Sequence, residues 1–354
     1  MKILLACICL IFCTSCNKKE EPKTTSMDFE TLMGNELPAW KHVQTKEDFQ
    51  NLAFFKNAYD KNIKLLQQAA SQNKIAKTIH FIWVGPNPFP RESIENVRSW
   101  MAHHPDWKFK FWTDRERPLP NPDMELCYVH DLPFQKLESY YNSSDNYGEK
   151  SDLLRIEILY REGGIYVDHD VTCINNFEQF NDHFDLFCGM EVPYPTSLSS
   201  AVLPTNNLLG ARKGHPLLAK CMEWLDANWD QIERDYPGKD RDAVINRVAH
   251  RTFCVLGEMF KVYGNQDGNV DIAMPSYYFN APKIEKALYA QHQYKGTWFD
   301  NESAFEKNAR KRLMMLSKKT NKLLLAVSVI AGLNLLGFLT LVVMLRKLRS
   351  TPSG

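Results

Sequence analysis

Apolar residues change their spacing along this chain, and each change marks an element. Between Phe29 and Asn73, the residues Phe54, Ala58, Leu65 and Ala69 fall on one helical face, with Phe55 and Leu66 beside them. That segment is expected to be helical and to pack on the main domain. From Lys77 to Pro86 the rhythm differs. Ile79, Phe81 and Trp83 alternate with His80, Ile82 and Val84, and nearly all are apolar, as in a strand covered on both faces of a parallel sheet. Gly85 and Pro86 end it. Ser93 to His103 predicts a helix with Ile94, Val97 and Met101 turned inward, and Trp107 to Trp112 alternates strictly as a second strand. Arg115 to Asp123 is proline-rich and must be a loop. Strand, helix and strand in succession predict right-handed βαβ winding and an α/β fold.

A second unit runs from Lys150 to Asp170. Leu154, Ile158 and Arg161 share one helical face and Leu153, Ile156 and Tyr160 another, which predicts a largely buried helix. Gly163-Gly164 allows a tight turn and leaves room for a ligand to approach the backbone. A short apolar strand, Ile165 to Val167, follows. Val171 to Ile174 either continues it or bends into a hairpin, and Phe184 to Met190 is a further strand. Pro216 suits the first turn of a helix lined by Leu217, Leu218, Cys221, Met222 and Leu225. Asp240 to Gly264 is helix-like. The run from Leu323 to Leu345 is apolar apart from small residues and Asn334, and exceeds the roughly 20 residues a membrane-spanning helix needs. Lysines precede it and Arg346, Lys347 and Arg349 follow it, so charge assigns no side of the membrane.

Composition adds limits. The chain has 354 residues and a net charge of +1, which gives no reason to expect a nucleic-acid partner. Met1-Lys2 and the short apolar run Ile3 to Phe12 have the form of a secretory leader. Cys13-Thr14-Ser15-Cys16 is similar to a lipoprotein cleavage site, with Cys16 as the acylated residue and a polar tether to Ser26 after it. Cys127, Cys173, Cys188, Cys221 and Cys254 are scattered and read as free thiols.

The chemistry gathers at Asp168-His169-Asp170. Residues two apart lie on the same side of an extended segment, so both carboxylates face one spot while His169 faces away. Their mutual repulsion is relieved by a hard divalent cation, Mn²⁺ or Mg²⁺. Asp152 and Arg155 are neighbours at helical i, i+3 spacing. His80 is read as structural.

Ser151-Asp152-Leu153-Leu154-Arg155, followed by Glu162-Gly-Gly-Ile-Tyr-Val-Asp-His-Asp170, resembles the sugar-binding Asp-x-Asp region of the family 32 glycosyltransferases. Ile79 to Gly85 resembles that family's first strand, Trp112-Thr113-Asp114 its second strand end, and Asn206 to Pro216 a later strand and turn. The resemblance implies a GT-A-type, Rossmann-like, nucleotide-sugar-binding domain. It implies transfer of a hexose from a UDP- or GDP-sugar to an acceptor hydroxyl, with retention at the anomeric carbon. Trp83 would stack on the base. Asp152 would accept hydrogen bonds from sugar hydroxyls, and Arg155 would orient it or touch the sugar. Asp170 would hold the cation, with Asp168 beside it or on the ribose or sugar hydroxyls. His292 would be a third metal ligand, Gly164 would border the ligand, and Trp298 would donate its indole N–H to the diphosphate.

The expected organisation is a leader and tether over 1–26, a helical segment over 27–76 and the catalytic domain over 77–300. A basic linker over 301–322, a transmembrane helix over 323–345 and a basic tail over 346–354 complete it. The expected location is a membrane, through that single helix and a lipid anchor. The acceptor, whether glycan, lipid or protein, is not specified by the sequence. A non-catalytic nucleotide-sugar or glycan-binding membrane module, or a nucleotide-sugar hydrolase, are the other readings.

Overall fold

The computed structural model describes residues 28–69, 73–194, 196 and 198–296, with isolated helical positions between 312 and 338. The first elements are α1 Phe29–Leu32, α2 Lys46–Asn62, β1 Thr78–Ile82, α3 Ser93–His103, β2 Lys108–Thr113 and β3 Glu125–Tyr128. Then come α4 Glu138–Ser143, α5 Tyr147–Glu162, β4 Gly164–Val167, β5 Val171–Cys173, α6 Glu178–His183, β6 Leu186–Met190 and β7 Pro204–Ala211. The last are α7 Pro216–Asp235, α8 Arg241–Arg251, α9 Phe253–Tyr263, β8 Asp271–Met274 and β9 Ala290–His292.

The main sheet has seven strands in the order β3-β2-β1-β4-β7-β6-β8. The first four are parallel, β7 is antiparallel to both its neighbours, and β8 is parallel to β6. Consequently β4 and β6 run in the same direction and end on the same edge. The continuous apolar pattern of β1 has the expected cause, since Ile79, Phe81 and Ile82 are all buried. The antiparallel β7 was not legible in the sequence, because a mixed sheet and a parallel one bury the same apolar strands.

His80 is buried at the centre of the sheet. Its Nε2–H donates to the Gly163 carbonyl (2.9 Å) and its Nδ1 accepts from the Trp112 indole (3.2 Å). Only the neutral ring satisfies both bonds, and burial lowers its pKa to about 4. Beside it, Gly164 has φ +106°, and a Cβ there would lie 2.6 Å from the Thr78 carbonyl oxygen and 2.8 Å from His80 Nε2. β1 and β4 approach this closely only because no side chain intervenes.

The expected single helical segment over 29–73 is instead broken. α1 ends before Gly34 (φ 78°), a short 3-10 turn covers Pro38–His42, and α2 starts at a capping box between Thr45 and Asp48. Glycine and proline interrupt the helix there. As expected, α2 packs on the main domain, against β8, with Phe55 5.7 Å from Phe260. The described residues up to Tyr294 belong to one compact unit.

The membrane expectation is overturned. Crossing a bilayer takes an unbroken apolar helix of about 20 residues, and among the described residues no helix is long and apolar enough to do so. The single-pass span assigned to 323–345 is therefore withdrawn; part of that stretch lies outside the described residues, as do the leader and Cys16.

Candidate active site

β4 delivers the acidic pair. Its backbone runs into Asp168, whose N–H donates to the Asn207 carbonyl of β7 (2.8 Å). The Val171 N–H then bonds back to the Asp168 carbonyl (3.1 Å), closing a turn over Asp168-His169-Asp170. The pair therefore sits on a turn rather than on the extended segment expected from the sequence. His169 does turn away: its Nδ1 meets Ser93 Oγ at 2.8 Å, and its ring lies 4.9 Å from Trp83.

β5 leaves the turn and pairs with β9 in a separate two-stranded sheet, whose register sets Val171 opposite His292. That ladder brings a distant part of the chain to the aspartates. Ligand atoms of Asp168, Asp170 and His292 all lie within 4.8 Å of one another. His292 Nε2 is 3.3 Å from Asp170 Oδ1. Burial alone would depress the imidazole pKa, but the hydrogen bond to Asp170 and the surrounding carboxylates raise it overall. Its Nδ1 is buried without a partner.

α5 supplies the second layer. Its first turn is capped by the Asn146 side chain, which accepts from the Glu149 N–H at 2.9 Å. Arg155 is 4 % exposed and Asp152 8 %. One guanidinium nitrogen of Arg155 lies 2.7 Å from Asp152 Oδ1 and 3.2 Å from Asp168 Oδ1. The other donates to the Asn206 carbonyl (2.7 Å), and the group sits 4.1 Å above the Tyr166 ring. Arg155 thus bridges two carboxylates. Burial pushes the Asp152 carboxyl up to about 7, against the pull of Arg155. Asn206 Nδ2 also donates to Asp152 (3.1 Å), and the Tyr166 hydroxyl donates to Asp168.

Trp83 is half-buried just past the C-terminal end of β1, with its indole N–H on the Asn87 carbonyl (2.8 Å) and its ring 5.5 Å from Phe89. It borders the same edge through its contact with His169. Gly164 stands apart. It opens β4 while Asp168 follows its end, about 13 Å away at strand spacing, and its missing Cβ serves the β1–β4 approach. Trp298 lies outside the described residues.

Tyr166, and Glu191, whose carboxyl is hydrogen-bonded to the Tyr294 that packs on His292, were missed in the sequence. Tyr166 passed as an apolar strand residue. Glu191 carried only a weak signal, a carboxylate directly after the strand Leu186–Met190.

Two carboxylate oxygens and an imidazole nitrogen this close together fit a divalent cation. The converging Asp-x-Asp follows β4 on the sheet edge where open α/β sheets bind ligands. Residues 90–186 match the family described as "Glycosyltransferase sugar-binding region containing DXD motif". It is 26 % identical over 197 residues to Subversion of eukaryotic traffic protein A of Legionella pneumophila, covering 51 % of this chain and 28 % of that protein. It is 30 % identical over 162 residues to Inositol phosphoceramide mannosyltransferase 3 of Schizosaccharomyces pombe, covering 46 % and 39 %. The matches thus span well under half the length of both relatives. Among solved structures, the PaToxG glycosyltransferase is similar at 17 % identity and a TM-score of 0.41, over 62 % of this chain and 82 % of that one.

Proposed function

We propose that this chain transfers a hexose from a nucleoside-diphosphate sugar to an acceptor hydroxyl, with retention and with help from a divalent cation. The observation that carries the reading is the convergence of Asp168, Asp170 and His292 at the end of β4. The name of the yeast relative, a mannosyltransferase, supports a hexose as the transferred group.

Breaking the bond between sugar and diphosphate builds negative charge on the leaving phosphate. A bound Mn²⁺ or Mg²⁺ supplies Lewis-acid stabilisation of that charge. Asp168, Asp170 and His292 would hold the ion. The chain's other groups position the donor. Trp83 offers a ring face to the base beside the same edge. Asp152 offers a carboxylate to sugar hydroxyls, held in place by Arg155 and Asn206. Fixing the reacting atoms in this way raises effective concentration, which supplies much of an enzymatic rate.

The test is to incubate the purified chain with Mn²⁺ and a panel of UDP- and GDP-hexoses, with and without alcohol acceptors. Consumption of one donor, lost with EDTA and in Asp170→Ala, is the expected result. Release of free sugar regardless of acceptor would mark a hydrolase. Failure to consume any donor would leave a binding module and end the transferase reading.

A further inference from the structure

His292 is the one member of the acidic cluster with an unfinished bonding pattern. Nε2 faces Asp170 at 3.3 Å, while Nδ1 is buried and has no partner. A histidine that ligates a metal through one ring nitrogen commonly donates the N–H of the other to a carboxylate, which fixes its tautomer and orientation. Three carboxylates act on this imidazole: Asp170, Asp168 and Glu191. The first two belong to the cluster itself.

Glu191 follows β6, which ends on the same edge as β4 because both run in one direction. Its backbone is held on two sides, by its N–H on the Leu203 carbonyl (3.0 Å) and by Ser276 Oγ on its own carbonyl (3.0 Å). Its carboxyl is hydrogen-bonded to Tyr294, and the Tyr294 ring packs 4.1 Å from His292. Glu191 is therefore tied to the imidazole through Tyr294.

We propose that Glu191 is a positioning residue for the metal: it accepts the Nδ1–H of His292 once Nε2 turns to the cation, and Tyr294 steadies it. This rests on the metal-assisted reading above. No atom of Glu191 touches the ion or the sugar; it acts through His292.

The test is Mn²⁺ affinity of the full chain, by titration calorimetry, with no sugar present. The unaltered chain binds, and Asp170→Ala does not. Glu191→Ala binds 10- to 100-fold more weakly, the usual effect of removing such a partner. Glu191→Gln keeps a carbonyl acceptor and falls nearer to the unaltered chain, a recovery that a purely structural role would not produce. A second measurement needs no variant. With ¹⁵N-histidine label and Zn²⁺ as a diamagnetic probe, His292 shows a metal-bound Nε2 and a protonated Nδ1. Equal Mn²⁺ binding by the unaltered chain and Glu191→Ala, or metal on Nδ1, overturns the role of Glu191 alone. No Mn²⁺ binding by the unaltered chain overturns the metal reading with it.

Discussion

Arg155→Met isolates what holds the site together without metal. The guanidinium is 4 % exposed and bridges Asp152 (2.7 Å) and Asp168 (3.2 Å), while donating to the Asn206 carbonyl (2.7 Å). Methionine fills much of the volume but leaves both carboxylates without their countercharge, with the neutral donors Asn206 and Tyr166 remaining. Removing one partner of a buried ion pair costs about 3–5 kcal/mol, whereas an exposed pair is worth about 0–1 kcal/mol. The geometry puts Arg155 in the first class, so a loss of about 3–5 kcal/mol is expected. The assay is urea unfolding at pH 7 in EDTA, compared at equal m-value. The double variant Arg155→Met/Asp152→Asn should lose less than the two single losses combined, because both substitutions break the same pair. Mn²⁺ should restore part of the loss in Arg155→Met by supplying positive charge beside Asp168. A loss under about 1 kcal/mol would mean that water reaches these carboxylates and that the buried-bridge reasoning is wrong.

Gly164→Ala should cost about 3 kcal/mol or more in the same assay, because strain at φ +106° adds to a 2.6 Å clash with the Thr78 carbonyl. Gly214→Ala, with φ +68° and nothing within 4 Å of the added Cβ, should cost only about 1–2 kcal/mol; equal losses would exclude the clash. His80 is held neutral with a pKa lowered to about 4, so the unfolded chain binds more protons between pH 6.5 and about 4. Stability should therefore be intact above pH 6.5 and fall by about 3 kcal/mol as the pH drops through that window. His80→Gln should flatten that part of the stability–pH curve, and an unchanged slope would remove His80 as its source. Asp170→Ala should abolish Mn²⁺ binding while leaving the circular dichroism spectrum intact; retained binding would show that the ion sits elsewhere.

Much of this was legible from local pattern. The apolar alternation of Ile79 to Val84, the buried faces of Leu153 to Tyr160 and the glycine pair each dictate a local conformation. They placed β1 and β4 to within a residue or two, while α5 begins at Tyr147, ahead of the expected Lys150. The Asp-x-Asp motif and Asp152 with Arg155 were legible because both pairs are close in sequence. The apolar run over 323–345 suggested a membrane span, whereas among the described residues no helix is long and apolar enough to cross a bilayer.

What the sequence determined by itself is therefore local: strand and helix identity, the tight turn, and the chemical type of each candidate group. The tertiary structure decided everything that depends on distant segments meeting. The antiparallel β7 supplies the carbonyls that anchor Asp168 and Arg155. The β5–β9 ladder sets His292 beside Asp170. The common direction of β4 and β6 brings Glu191 to the same edge. Side-chain periodicity fixes which face a residue takes, but only strand order and register fix which residues share that face.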